Sequence, residues 1–151
     1  VYRNLSEDAK RQICAWKYGG EYDLYNLPSY EEMQVRQIGF MNPQREKNYY
    51  GFWDESILVG FVNILEEKEE VFIGIGVNPD LCNKHYGQRM LLITYEISKK
   101  LYPNKPLYLE VRTWNIRAVK CYQKAGFRID GQAYELTTGI GTGTFYRMIR
   151  E

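Results

Sequence analysis

The sequence predicts an α/β fold: one continuous domain, residues 1–151, with helices flanking a mixed, mostly antiparallel sheet of about six to seven strands. Three observations carry this. Residues 48–77 read as three strand-length runs separated by short polar turns near Asp54-Glu55 and near Glu67-Lys68. A helix-length amphipathic run then stands between the strands "VFIGIGV" and "LYLEVR". A right-handed crossover of that kind makes its two strands parallel neighbours. Finally, no linker, repeat or low-complexity tract interrupts the chain.

Each element has a local reason. Val1 to Leu5 is a short edge strand. Ser6 is a good N-cap, and Glu7 and Asp8 in the first turn suit the positive end of a helix running to Trp16 or Lys17. The turn-rich stretch "YGGEYDLYNLPSYEEM" follows, where Ser29 caps a second, short helix after Pro28. Beyond Asn78-Pro79-Asp80 a helix spans Gly87 to Leu101, with Met90, Ile93, Ile97 and Leu101 on one face and Pro103 and Pro106 to stop it. In "PLYLEVR", Leu107, Leu109 and Val111 share one side. Asn115 caps a short helix that ends at Gly126, placed as its left-handed C-terminal residue. Two strands, "FRIDGQAYEL" and "GTFYRMIR", close the chain around the turn "TTGIGTG".

Composition narrows the function. Lys+Arg 20 against Asp+Glu 19 leaves a formal charge of +1, too balanced for a protein that works by neutralising a nucleic-acid backbone. Cys14, Cys82 and Cys121 form no CxxC pair, and His85 is the single histidine, so no zinc constellation assembles and no metal is expected. Free, buried thiols in a reducing cytoplasm are the plain reading. There is no apolar run of membrane-spanning length and no signal-peptide pattern, so neither a membrane partner nor export is expected. Tyrosine is abundant, 14 residues, which points to amphipathic walls of pockets or interfaces or to half-buried sheet positions.

Three segments carry the chemistry. In "VFIGIGV", Val71, Ile73, Ile75 and Val77 form a β-branched core face, while Phe72, Gly74 and Gly76 leave the other nearly bare. Glycine weakens a strand, so it marks a bulge, close approach of something to the backbone, or a neighbouring helix packed closely on that face. Next, "NKHYGQRM" feeds a loop into a helix N-terminus, where unpaired N–H groups and the helix dipole favour an anion. Lys84 and Arg89 add charge around it, and His85 reads as a solvent-facing turn residue rather than a catalyst. In "VRTWNIRAVKCYQKAGF", Asn115, Ala118 and Tyr122 fall close together around one helix. Small Ala118 leaves room above Tyr122, whose hydroxyl is either a proton donor or the tether of a core tyrosine.

In order and spacing the three segments resemble the GCN5-related N-acetyltransferase (GNAT) superfamily. "NIRAVKCYQKAGF" matches that family's NxxAxxxYxKxGF at Asn115, Ala118, Tyr122, Lys124, Gly126 and Phe127. The close resemblance runs from Val71 to Phe127; the flanking elements agree in order. The loop departs from the usual Arg/Gln-x-x-Gly-x-Gly/Ala: Lys84, Gly87 and Arg89 occupy the matching positions, so only the middle glycine remains. Lys84 keeps a charge without the planar fork of arginine. Arg89 either reaches a phosphate or shields the site.

The resemblance implies a single acetyltransferase domain with a splayed central strand pair and acetyl-CoA between those strands. It implies that pantetheine pairs with backbone at Ile75, Gly76 and Val77. Pyrophosphate would lie on N–H groups of His85, Tyr86, Gly87, Gln88, Arg89 and Met90, with Lys84 nearby. Asn115 would contact the pantetheine arm, Lys124 would complete the cofactor motif, and Tyr122 would stand near sulfur as the catalytic acid. The implied reaction is direct acetyl transfer to a primary amine of a small molecule or peptide N-terminus, by a monomer or homodimer. A coenzyme A-binding domain without catalysis is the alternative. Many relatives place a glutamate where this strand has Phe72, Gly74 and Gly76. Glu110, Glu70, Glu21, Asp23 or water are left as candidate bases. Cys121 projects about 100° from Tyr122 on the helix, which disfavours an acyl-cysteine route. Trp16, Tyr18, Tyr22, Tyr25 and Tyr30 beside Glu21 and Asp23 suit a cationic amine, a dimer interface or plain packing.

Overall fold

The computed structural model describes residues 1–138 and 140–151, and the chain forms two compact units interleaved in sequence. The first comprises Val1–Asn63 with Ile75–Tyr86, the second Ile64–Gly74 with Gly87–Glu151. In chain order the elements are β1 (Tyr2–Asn4), α1 (Glu7–Ala15), α2 (Tyr30–Arg36), β2 (Tyr49–Asp54), β3 (Ile57–Glu66) and β4 (Val71–Val77). They continue with α3 (Tyr86–Leu101), β5 (Leu107–Arg112), α4 (Ile116–Lys124), β6 (Arg128–Ile129), β7 (Tyr134–Thr138) and β8 (Gly141–Arg150). Strand order is β1-β2-β3-β4-β5-β8-β6, with β7 also on β8. The β4–β5 pair is parallel, as the crossover through α3 requires.

In the first unit the expected caps form. The Ser6 hydroxyl accepts from the Ala9 N–H at 3.1 Å, and Ser29 does the same for Glu32 at 3.1 Å. α1 buries Ala9, Ile13 and Cys14, which join Tyr30, Met33, Phe40, Met41, Tyr49 and Leu58 in one core. Lys10 on the same helix is buried too. Its ammonium meets Glu46 at 2.8 Å and Glu7 at 3.4 Å, the pairing a buried lysine needs. Short 3-10 turns at Gly20–Tyr25, Gly39–Met41 and Glu46–Asn48 had no signal in the hydrophobic periodicity.

In the second unit, Val71, Ile73, Leu107, Leu109, Val111 and Met148 are buried, matching the predicted apolar face of "PLYLEVR". Two expectations need correction. On α3 the buried residues are Met90, Leu91, Thr94, Ile97 and Ser98, whereas Ile93 is 37% and Leu101 51% exposed. At 100° per residue the inner stripe centres on Thr94; Ile93 lies a full step away and Leu101 is in the last turn. Thr94 is tolerated there because its hydroxyl donates to the Met90 carbonyl at 2.7 Å.

The second correction concerns "FRIDGQAYEL", which is not one strand. Ile129 pairs with Met148 and Tyr134 with Phe145, so four residues, 130–133, oppose only Tyr146 and Arg147. Gly131 stands at φ +75° and throws the chain outward before it rejoins β8. This raises the strand number to eight. Gly139, within the predicted turn "TTGIGTG", lies outside the described residues.

Candidate active site

In the first unit the strand end comes first. The ring of Phe61 on β3 occupies the space a side chain at Gly76 would need. That decides one question left open by the sequence: a neighbouring ring, rather than a helix, packs on this glycine. Phe61 is in turn held by Phe40, Tyr49 and Trp16, at centroid distances of 6.1, 6.4 and 6.3 Å. Gly76→Ala is therefore expected to destabilise the protein by about 1–3 kcal/mol in urea denaturation, the usual range for overpacking. Adding Phe61→Leu should recover most of that loss.

One residue along, the Val77 carbonyl accepts a hydrogen bond from the Tyr18 hydroxyl at 2.7 Å. Asn78 anchors the turn beyond, its N–H on the Val59 carbonyl at 2.8 Å and its amide on the Leu58 carbonyl at 3.1 Å. Of the predicted aromatic wall, Trp16 packs against the core, Tyr30 is buried beneath Arg11, and Tyr22 and Tyr25 are half-buried in a 3-10 turn. Glu21 and Asp23 are exposed. Packing accounts for Trp16 and Tyr30, and Tyr18 ties its segment to the end of β4.

The loop ahead of α3 alternates in hand. Asn83 and His85 both stand at φ +66°, while Lys84 between them does not. Backbone of alternating hand is one of the forms from which anion-binding nests are built. Lys84 and His85 are exposed, and the Tyr86 hydroxyl donates to Asp54 at 2.7 Å.

In the second unit, Gly87 and Gln88 are half-buried in the first turn of α3, Arg89 is exposed, and Met90 faces the core. The parallel ladder pairs Val71 with Leu107 and Phe72 with Tyr108, and β5 pairs with β8 through to Arg112. After β5, Asn115 is only 6% exposed and its side-chain oxygen caps α4 by accepting from the Ala118 N–H at 3.2 Å. Ala118, Cys121 and Tyr122 are half-buried, and Lys124 is exposed at the helix end. Burial pushes the Cys121 thiol above its ordinary range, with Lys124 and Arg117 pulling weakly the other way. Gly126 adopts φ +97°, and a side chain there would also meet Arg150, whose guanidinium donates to the Ala125 carbonyl at 3.0 Å.

The face of β5 away from the core carries the carboxylates. Tyr108 donates to Glu67 at 2.8 Å, and Tyr134 on β7 donates to Glu110 at 2.7 Å. Burial and these carboxylate partners hold both phenols well above their ordinary range, so they stay protonated donors. Glu70 is bound by two Arg147 nitrogens, and Arg147 also meets Asp130 at 3.3 Å. Of the candidate bases, Glu70 is therefore in a bidentate ion pair, while Glu110 is exposed and held by a neutral phenol. The contacts of Tyr134 with Glu110 and of Arg147 with Glu70 were not legible in the sequence, because they depend on which strands lie beside β5. Among the described residues no group of three or more His, Cys, Asp or Glu could hold a metal ion, and no helix is long and apolar enough to cross a membrane.

Comparison with known families places a chain with these elements among acyltransferases of the acetyl-transferring kind. The Acetyltransferase (GNAT) family profile matches residues 10–127, and the chain belongs to that family. Such enzymes generally take acetyl-CoA as donor. No curated protein matches the chain. Solved structures share the fold at low identity. One is a chimera of the spermidine N-acetyltransferase SpeG from Vibrio cholerae and hSSAT, 19% identical, covering 99% of this chain and 93% of that one, TM-score 0.78. A GNAT-family acetyltransferase from Bacillus anthracis is 16% identical, covering 98% and 92%, TM-score 0.79. The ribosomal-protein-S18-alanine N-acetyltransferase from Escherichia coli is 18% identical, covering 99% and 92%, TM-score 0.68.

Proposed function

We propose that this enzyme moves the acetyl group of acetyl-CoA to a primary amine of a small molecule or a peptide N-terminus, with donor and acceptor bound together. The observation that carries the reading is the conjunction, within one unit, of the full motif from Asn115 to Phe127, with Tyr122 inside it, and an exposed, hydrogen-bonded carboxylate, Glu110, on the strand that feeds it. Structural neighbours are named as N-acetyltransferases of spermidine and of a ribosomal-protein alanine, which supports an amine acceptor.

For the donor, the N–H groups of His85, Tyr86, Gly87 and Gln88 lie at the start of the α-helix that begins at Tyr86, at the positive end of its dipole. They are the proposed pyrophosphate cradle, with Lys84 and Arg89 supplying charge and Lys124 at the end of α4. Arg89 and Met90 fall to the helix ladder through their N–H groups, and the Met90 side chain is in the core. Ile75, Gly76 and Val77 offer backbone to the pantetheine arm, with one lone pair of the Val77 carbonyl already taken by Tyr18. Asn115 positions α4 through its cap.

A lysine-type amine, pKa about 10.4, is neutral in only roughly one molecule in 2,500 at pH 7. Glu110 takes one proton from the ammonium, directly or through one water, which frees the nitrogen lone pair. The neutral amine forms the N–C bond, and as the C–S bond breaks the second nitrogen proton passes through water to the coenzyme A thiolate. Tyr122 donates to the departing sulfur. A phenol is a weaker acid than a thiol by about 1.5 pKa units, so Tyr122 acts best by hydrogen bonding as charge develops. The raised Cys121 thiol argues against a covalent acyl-enzyme.

The test is thiol release from acetyl-CoA over a panel holding a polyamine, a lysine-type amine and an alanine-starting peptide. Glu110→Gln should lower kcat/KM about 100-fold, while calorimetric affinity for acetyl-CoA stays within about twofold of wild type. No turnover on any amine, despite tight acetyl-CoA binding, would refute the proposed activity.

A further inference from the structure

The register of β5 on β8 places Arg147 directly opposite Glu110. Directly opposed, oppositely charged residues on one face of an antiparallel pair ordinarily attract each other. Here they do not pair. Both terminal nitrogens of Arg147 go to Glu70, its Nε meets Asp130 at 3.3 Å, and its guanidinium lies 4.3 Å from the centre of the Tyr108 ring. Glu110 instead receives the Tyr134 hydroxyl, which reaches it across β8. The other cation near it on β5, Arg112, lies over the Phe145 ring at 4.7 Å and against Gly143.

From this arrangement we infer that Glu70 and Asp130 are positioning residues that hold Arg147 away from Glu110, so that Glu110 meets the acceptor amine without a protein cation on it. The inference rests on the reading of Glu110 as the proton acceptor. Each part has a physical reason. An arginine on Glu110 would occupy the carboxylate oxygens bidentately and oppose the approach of a cationic amine. A phenol fixes the carboxylate's orientation and leaves its charge in place. Glu70 outcompetes Glu110 for Arg147 because it binds both terminal nitrogens while Asp130 binds the third. The groups facing Glu110 are thus Tyr108 and Arg112 on its own strand, Arg147 on β8 and Tyr134 on β7, with Glu70 and Asp130 reaching it only through Arg147.

The test is a rescue. Glu70→Gln should release Arg147 to Glu110 and lower kcat/KM for the amine about tenfold, mostly through kcat. Replacing both partners, Glu70→Gln with Arg147→Gln, should return kcat/KM to within about threefold of wild type, which a purely structural role for the ion pair would not do. A crystal structure of Glu70→Gln should show the Arg147 guanidinium within about 3.2 Å of a Glu110 oxygen. A double variant no better than the single, or Arg147 unmoved in Glu70→Gln, overturns the inference. If Glu110→Gln keeps full activity, the proton-acceptor reading fails, while the position of Arg147 in the Glu70→Gln crystal still decides the clamp.

Discussion

Tyr122→Phe should lower kcat about 100-fold while leaving the KM for acetyl-CoA within about twofold, measured by thiol release under saturating amine. The substitution removes one oxygen and keeps the ring, so the half-buried packing of α4 is preserved. The backbone is untouched as well: the Tyr122 carbonyl still accepts from the Ala125 and Phe127 N–H groups at 3.1 and 3.0 Å. Any large loss therefore reports on the hydroxyl. A donor to departing sulfur acts in the transition state, so the loss should appear in kcat. A rise in KM alone would mean that Tyr122 helps only to bind the donor. Unchanged kinetics would make it a packing residue, the other role its helix position allows.

Phe40→Ala should cost about 3–5 kcal/mol of stability, read from the urea midpoint at an unchanged slope. Phe40 is 1% exposed, among the largest fully buried side chains of the chain. Tyr49 and Phe61 meet it edge-on at 5.7 and 6.1 Å, so its removal opens a cavity between rings that cannot collapse without tilting. Phe61 is also the ring over Gly76, so the damage should reach the strand end proposed to hold pantetheine. Acetyl-CoA affinity is then expected to fall in Phe40→Ala even at temperatures where the variant is folded. A stability loss below about 1 kcal/mol would mean that the core of the first unit is far more plastic than close packing allows.

Much of the architecture was legible because its causes are local. Ser6, Ser29 and Asn115 cap helices through side-chain oxygens that reach only three residues ahead, and Gly126 takes a left-handed conformation at the end of α4. The crossover from β4 to β5 follows from strand, helix, strand and the hand of the chain. The broken strand between Arg128 and Thr138 was missed: the apolar residues change phase, from Phe127 and Ile129 to Tyr134 and Leu136, and the pairing with β8 shows that this change marks residues 130–133 leaving the ladder. The inner stripe of α3 was misplaced as well. Ile93 outranks Thr94 in hydropathy, yet the helix orientation seats Thr94 inward with its hydroxyl on Met90.

The sequence alone determined the family, through a motif confined to one helix and its cap, and it singled out Tyr122. Tertiary structure decided which carboxylate stands uncompensated. Glu70, Glu110 and Asp130 look alike along the chain, and only the register of β5, β7 and β8 gives two of them to Arg147 and the third to Tyr134. It also decided why Gly76 is glycine, since Phe61 lies fifteen residues earlier and meets it only once β3 and β4 are folded. Caps and helix motifs depend on backbone geometry within one turn. Charge compensation on a sheet depends on neighbours set by pairing, and pairing brings together residues far apart in the chain.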